Sequence, residues 1–341
     1  MSFFMKVPYP VLLVVLAAFV VCAALLALCT GVFHLSVPEV VAAVDAYIRN
    51  GFSSGSTAET IVMNVRMPRI ITAVFVGVSL ATAGAVYQSV FHNPLVSPDL
   101  LGVSSGACIG VALSILLGLS GAFHIVTAFV GGILAVGMAV LIPNILRNRS
   151  STMLVLSGVM VSGFLSSVLG VIKYLADSED KLEAIMYWQF GSFAHTRYEM
   201  LKPVLPILLV SFVALMLFSW RINLFSLEDA EVQTLGVHVE KERLVIILFS
   251  TLLTAAATSI SGTVGWVGLV VPHFARMLVG DNCTKLLPAA ALMSAGLMIL
   301  VDTVCRSISG MEIPIGIITG VVGAPIFAAI LIQQKKKDHQ L

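Results

Sequence analysis

Residues 11 to 33 read VLLVVLAAFVVCAALLALCTGVF, and the reading of that run decides the architecture. It holds 23 residues without a charge, and about 20 apolar residues are enough for a helix to cross the hydrocarbon of a bilayer. The alternation that barrel strands need is absent. Backbone groups in lipid must then be satisfied inside a helix. A cleavable secretory signal is the rival reading, and the preceding Lys6 invites it. The run is too long for the apolar region of such a signal. Leu28 also stands where lipoprotein processing before Cys29 would need a small residue. The stretch therefore reads as a first membrane helix.

The rest of the chain has the same character. Of 341 residues, 58% are hydrophobic and 11% charged, with strongly positive mean hydropathy, which no soluble core could accommodate. The expected fold is an all-α polytopic membrane protein, one transmembrane domain over residues 1–341. Helices are predicted at about 10–33, 64–91, 101–117, 121–146, 152–175, 203–220, 242–262, 268–280 (a short one), 284–305 and 314–333, ten in all. Gly102, Gly106 and Gly110 lie four apart in the third, a pattern that lets a neighbouring backbone come close.

Net charge is +1, and no basic stripe exists beyond the terminal KKK, which argues against nucleic acid as a partner. The five cysteines have no paired spacing and read as small buried hydrophobes. Eleven of the 19 Lys and Arg residues fall on the side of the two termini, including Arg147, Arg149 and Lys335 to Lys337. The positive-inside rule then predicts both termini cytoplasmic. Two polar segments face outward: 34–63, with an amphipathic VPEVVAAVDAYI, and 176–202, which opens with a solvated acidic loop, DSEDKLE, followed by the aromatic MYWQF as an interfacial anchor.

Three interruptions carry more information than the spans. In YQSVFHNPLVSPDLLGVSSGA, Pro94 and Pro98 push Asn93 and Ser97 toward extended backbone. Non-helical backbone in a membrane is tolerated where protein or water satisfies it. Gln88, Asn93 and Ser97 are thus candidates to line a path, with a plain turn as the alternative. The second interruption, RINLFSLEDAEVQTLGVHVEKERLV at 221–245, combines Ser226 and Asp229 as a cap with Gly236 as a stop. It predicts a short helix at about 227–234, either a solvated connection or a rigid knob for a soluble partner. The third is GTVGWVGLVVPHFARMLVG at 262–280, where glycines such as Gly268 loosen the backbone and Pro272 removes an amide. His273 and Arg276 follow at the cytoplasmic end; a lone membrane histidine with no carboxylate or cysteine at ligand spacing is a structural group before it is a ligand. Asp302 and Arg306, four apart, suit a mutual ion pair. Charges at that depth are equally functional candidates.

Taken in order, VRMPRIITAVFVGVSLATAGAVYQSVFHNPLVSPDLLGVSSGACIG, YWQFGSF, GTVGWVGLVVPHFARMLVGD, LVDTVCRSI and IPIGIITGVVGAPIF closely resemble the ABC importer permeases for iron-siderophore, haem and cobalamin uptake. The similarity runs from about residue 60 onward, with Trp266 where phenylalanine is common. The resemblance implies ten membrane helices per subunit, in a bacterial or archaeal cytoplasmic membrane. It also implies a homodimer with the pathway on its two-fold axis, two cytoplasmic ATPase subunits, and a periplasmic or lipid-anchored binding protein. Asn93, Pro94 and Leu95 match the family's loop at the cytoplasmic gate, and Ser151 and Thr152 its second gate element. The segment Leu227 to Val237, with Glu228, Asp229, Glu231, Leu235 and Gly236, matches the coupling helices that insert into the ATPase, within a region of about 222–243. Arg66, Arg69 and Arg306 match outward arginines that pair with acidic groups of the binding protein, while Gly268, Pro272, His273, Arg276 and Asp302 take structural parts.

The implied mechanism is alternating access, with the short helix of GWVGLVVPHFAR near the cytoplasmic floor and Pro272 ending the span so that a polar turn can sit close to the ATPase. No phosphate loop GxxxxGK[ST] occurs, so ATP and Mg belong on another polypeptide and this chain does no chemistry. No metal site or cofactor is expected in it. A ferric siderophore is the favoured cargo, with haem, cobalamin and a molybdate-type oxyanion as further options. The alternative is an ion-coupled secondary transporter, which should carry ionisable groups near the midplane, whereas the charges here gather toward helix ends. An intramembrane enzyme would need a nucleophile or metal motif that is absent.

Overall fold

The computed structural model describes residues 7–50, 56–119, 121–147, 150–176, 179–225, 232, 238–308 and 312–338. These form helices and no strand: α1 (Tyr9–Cys29), α2 (Val37–Asn50), α3 (Thr57–Val90), α4 (Val103–Leu116), α5 (Ala122–Ile145), α6 (Ser151–Tyr174), α7 (Glu179–Phe190), α8 (Tyr198–Leu224), α9 (Val239–Ser261), α10 (Val267–Val279), α11 (Cys283–Cys305) and α12 (Ile315–Asp338). Seven of them, α1, α3, α5, α6, α8, α9 and α11, are long and apolar enough to cross a bilayer, and α4, α10 and the Ile315–Ile330 part of α12 are shorter apolar helices. All ten predicted segments are therefore helical.

Backbone proximity sets the packing. In the antiparallel pair α3 and α11, Gly77 lies against the Ser294 carbonyl while Arg69, two turns earlier, meets Asp302, two turns later. α4 and α5 close in the same way, with Gly106 on the Gly131 carbonyl and Gly110 on that of Thr127, so the small-residue pattern read from the sequence does mark a close contact. α1 runs parallel to α11: the Tyr9 hydroxyl donates to the Lys285 carbonyl at 3.1 Å, the Phe19 ring fills the notch at Gly296, and Arg306 reaches the Ala27 carbonyl. α3, α9 and α11 are the buried heart of the bundle. α1, α5, α6 and α8 turn valine, leucine and phenylalanine side chains outward, as helices bathed in lipid do. The end at which α1 begins is called proximal below, and the end at which it finishes, distal.

Four expectations are corrected. The amphipathic stretch of the first outer segment forms α2, whereas the acidic run expected as a solvated loop supplies Glu179 and Asp180 to the opening turn of α7, where carboxylates favour the positive helix end. Trp188 of the aromatic run packs partly buried against Val111 and Ala128. α3 starts earlier than predicted, capped by Ser56, whose hydroxyl accepts the Glu59 amide at 3.1 Å, and passes through a π-helical turn at Thr60–Arg66. Pro272 does not end the span; it sits inside α10, which runs on to Val279 as the predicted short helix does.

Candidate functional site

At the proximal end, α3, α10, α11 and α8 meet through polar groups. Gln88, nearly at the end of α3, donates to the Leu269 carbonyl at 3.2 Å and accepts from Arg276. Arg276 also reaches Ser89 Oγ at 3.3 Å and pairs with Asp281 at 3.2 Å. Asn282 caps α11 by accepting from the Thr284 amide at 3.0 Å, and Asn223 of α8 receives the Cys283 amide at 2.7 Å. These ties hold four helix ends in one layer. Beside them lies a cleft of about 480 Å³ lined by Gln88, His92, Asn93, Pro94, His273 and Arg276, among others.

α10 reaches this layer because its backbone touches that of α3. A Cβ on Gly84 would overlap the carbonyl of Gly268. Pro272 has no N–H to engage that same carbonyl in the helical ladder. The proline thus leaves the Gly268 oxygen turned to its neighbour, and glycine on α3 makes room. His273 is the next residue, and Arg276 follows one turn on.

After α3 the chain turns back into the bundle. Asn93 Oδ1 accepts the Leu95 amide at 2.9 Å, closing an Asx turn, and Pro98–Leu101 forms one 3₁₀ turn before Gly102 (φ +83°) starts α4. Leu101 lies against Gly158, and Gly102 against Ser162, so the connection penetrates halfway along the 24-residue α6. Asp99, carried in on this turn, accepts the Ser104 hydroxyl. Pro94 and Leu95 remain exposed at the tip of the turn and Asn93 is half-buried.

The other expected gate element begins α6 as foreseen, its first turn capped by Ser150, whose hydroxyl accepts the Met153 amide at 3.2 Å; Thr152 is exposed. Ser151 is the first residue of that helix. Leu227, Glu228, Asp229, Glu231, Leu235, Gly236 and Val237 lie outside the described residues. Within that segment Val232 is described and buried, and the flanks are firmly held: Phe225 is buried, Arg243 stacks over its ring at 5.4 Å, and Arg221 pairs with Glu242.

At the distal end the three arginines expected to face outward are buried, with exposures of 3% for Arg66, 3% for Arg69 and 7% for Arg306. Arg66 donates to the Leu28 carbonyl, which the end of α1 leaves without an amide partner, and to the Phe33 carbonyl in the loop that follows. Arg69 grips Asp302 with Nη2 at 2.8 Å and Nε at 3.2 Å, and Glu312 with Nη1 at 2.6 Å. Arg306 is the looser partner of Asp302, at 3.6 Å, and its other end serves Ala27. The expectation of outward projection is thus corrected. Each guanidinium finds carbonyl or carboxylate partners inside the protein, as a charge at this depth requires, although Arg306 Nε makes only the long ion pair with Asp302.

Sequence reasoning missed the Arg69–Asp302 contact, the Asn223–Cys283 tie and Asp99. An Asp-Asn pair just before an apolar run marks Asn282 as a cap, and an acid in the middle of SPDLLG could have drawn notice to Asp99. Among the described residues no cluster of three His, Cys, Asp or Glu suits a metal ion.

Comparison with known proteins supplies a family for this arrangement. The profile of the FecCD transport family matches residues 16–333. The chain is 40% identical over 331 residues to the molybdate import system permease protein MolB of Haemophilus influenzae, covering 96% of this chain and 97% of the relative. It is 41% identical over 280 residues to a probable iron chelatin transport system permease protein of Helicobacter pylori, covering 82% of this chain and 85% of that one. A solved structure described as an inward-facing conformation of a metal-chelate type ABC transporter superimposes with a TM-score of 0.86 at 37% identity, covering 95% of this chain and 99% of the other.

Proposed function

This chain belongs to the FecCD transport family and is a multi-pass permease subunit of an ABC importer for metal chelates or related substrates, and from that premise we propose that it carries a ferric siderophore inward by alternating access. Permeases of this kind work with ATPase and substrate-binding partners and are not enzymes themselves. In the proposed assembly two copies enclose the pathway in a cytoplasmic membrane, two ATPase subunits holding ATP and Mg sit at the proximal end, and a binding protein sits at the distal end. Both termini are cytoplasmic in this reading.

The observation that carries the transport reading is the non-helical turn Asn93 to Gly102, held deep in the bundle beside the polar layer of Gln88 and Arg276. Irregular backbone at that depth is tolerated where it is buried in protein or lines a water-filled path. The segment from Leu227 to Val237 is proposed to couple ATP hydrolysis to it. A push there reaches α8 and α9 directly, because Arg243 on Phe225 and Arg221 on Glu242 clamp both flanks. Arg66, Arg69 and Arg306 are given a supporting part: they bind α1, α3 and α11 together beneath the surface on which the binding protein would dock.

A second cargo is favoured by one observation. The Haemophilus influenzae relative, similar along almost its whole length, is named for molybdate, so a tetrahedral oxyanion stands beside the ferric chelate. The test is uptake by proteoliposomes containing this chain, its ATPase and its binding protein, loaded with a ferric siderophore or with molybdate. Accumulation should require ATP and both partners, and scrambling residues 227–237 should abolish it. Accumulation by the chain alone on an ion gradient would overturn the importer reading.

A further inference from the structure

A second cleft, of about 290 Å³, opens between α4, α6 and the junction where α7 and α9 end. Six polar residues line it: Ser104, Ser105, Ser166, Lys173, Gln189 and Thr263. None of the expected gate, coupling or docking residues is among them. A lysine with this many hydroxyls and an amide is not placed against acyl chains, so the cleft belongs to a wet or protein-covered passage.

Its hydrogen bonds leave an excess of donors. The Lys173 ammonium donates to the Gln189 side-chain oxygen, and no carboxylate among the described residues pairs with it. Two ammonium hydrogens remain, together with the amino group of Gln189. The Thr263 hydroxyl is occupied by the Gln189 backbone carbonyl, which fixes the strand of chain that presents the amide. Ser105 and Ser166 face each other at 3.5 Å, too far for a strong mutual bond, so their hydroxyls can turn to a guest. At the deep end Ser104 gives its proton to Asp99, which makes that end unfavourable for an anion. The donor-rich part therefore runs from Ser166 to Lys173, two helical turns or roughly 10 Å along α6.

We propose that this cleft is a subsite for an oxygen-rich anion, with Lys173 as its charged anchor and Gln189, Ser105 and Ser166 as its neutral donors. It deepens the importer reading and rests on it for the identity of the guest as cargo. The cleft is smaller than pockets that enclose drug-sized ligands. It takes either a free tetrahedral oxyanion or the carboxylate face of a larger metal chelate.

The test uses the purified full chain in lipid nanodiscs, without ATPase or binding protein, so that it is independent of the uptake assay. Ser166→Cys supplies a reporter thiol, and its reaction with N-ethylmaleimide is followed at that position by peptide mass spectrometry. Molybdate and ferric citrate are the two probes, and a cationic ferric hydroxamate is the control. At a probe concentration ten times its Kd, the reaction should slow about tenfold. Protection should disappear when Lys173→Gln is added and persist with Lys173→Arg, with all variants monodisperse. Protection by molybdate alone identifies a free oxyanion as the guest, and by ferric citrate alone a chelate face. No protection by either anion, equal protection in the Lys173→Gln protein, or equal protection by the cationic control would overturn the proposal. Failure of ATP-driven uptake with protection intact would instead overturn the importer reading and leave the anion site standing.

Discussion

Asp302, only 1% exposed, has Arg69 and Arg306 as its counter-ions. Asp302→Asn would leave two buried guanidiniums around a neutral amide, and breaking such a pair typically costs about 3–5 kcal/mol. A large fall in the thermal midpoint of the detergent-purified chain is expected, partly recovered when Arg69→Met is added. A milder test lies on α2, where the Ser36 amide and hydroxyl each meet Glu39 Oε2 at 2.7 Å. Those bonds hold the Glu39 carboxyl below the usual glutamate range. Because the folded value is depressed, the stabilisation of this first turn is present above the ordinary glutamate pKa and lost as pH falls through the lowered one. Amide exchange at the start of α2 should accelerate in that acid window, and Glu39→Gln should remove the acid dependence. Of these contacts the sequence shows only the local half: Asp302 and Arg306 are four apart and visible as a pair, whereas Arg69 is 233 positions from Asp302 and becomes its closer partner only when α3 lies antiparallel to α11.

Glycine on these helices has two opposite meanings. Gly84 is pressed against the Gly268 carbonyl, so Gly84→Ala must part α3 from α10, a distortion of about 1–3 kcal/mol. Gly137 on α5 meets nothing within 4 Å of an added Cβ, and Gly137→Ala should stabilise by up to about 1 kcal/mol through helix propensity. Denaturation of the two variants side by side should show opposite signs. The long spans were readable because runs of some twenty apolar residues admit no other structure in lipid. α7 was not, since its charged, short sequence resembles a loop until tertiary contacts hold it, and of α2 only the amphipathic pattern showed. Pro272 misled for a definable reason: a proline six positions into a helix removes one hydrogen bond, and the close approach of α3 offsets that loss.

In the proposed transporter the polar proximal layer is the place where opening would be felt. Arg276→Gln would release α10 from Gln88, Ser89 and Asp281. Losing charge-assisted bonds worth about 1.5–3 kcal/mol should lower ATP-driven uptake at least about tenfold. ATPase turnover of the complex should fall far less, and the ratio of cargo to ATP reports the difference. The family motifs made the importer class legible without coordinates; cargo did not follow from them, because relatives named for molybdate and for iron chelatin match this chain about equally well. The half-length α10 has a bearing on biogenesis as well. Its 13 residues span roughly 20 Å, short of the ~30 Å hydrocarbon layer. A translocon sorting nascent segments singly would find little reason to release it sideways into lipid. Its entry must wait for α11, with which it forms a hairpin through Asp281 and Asn282, so that membrane insertion of this stretch proceeds by pairs.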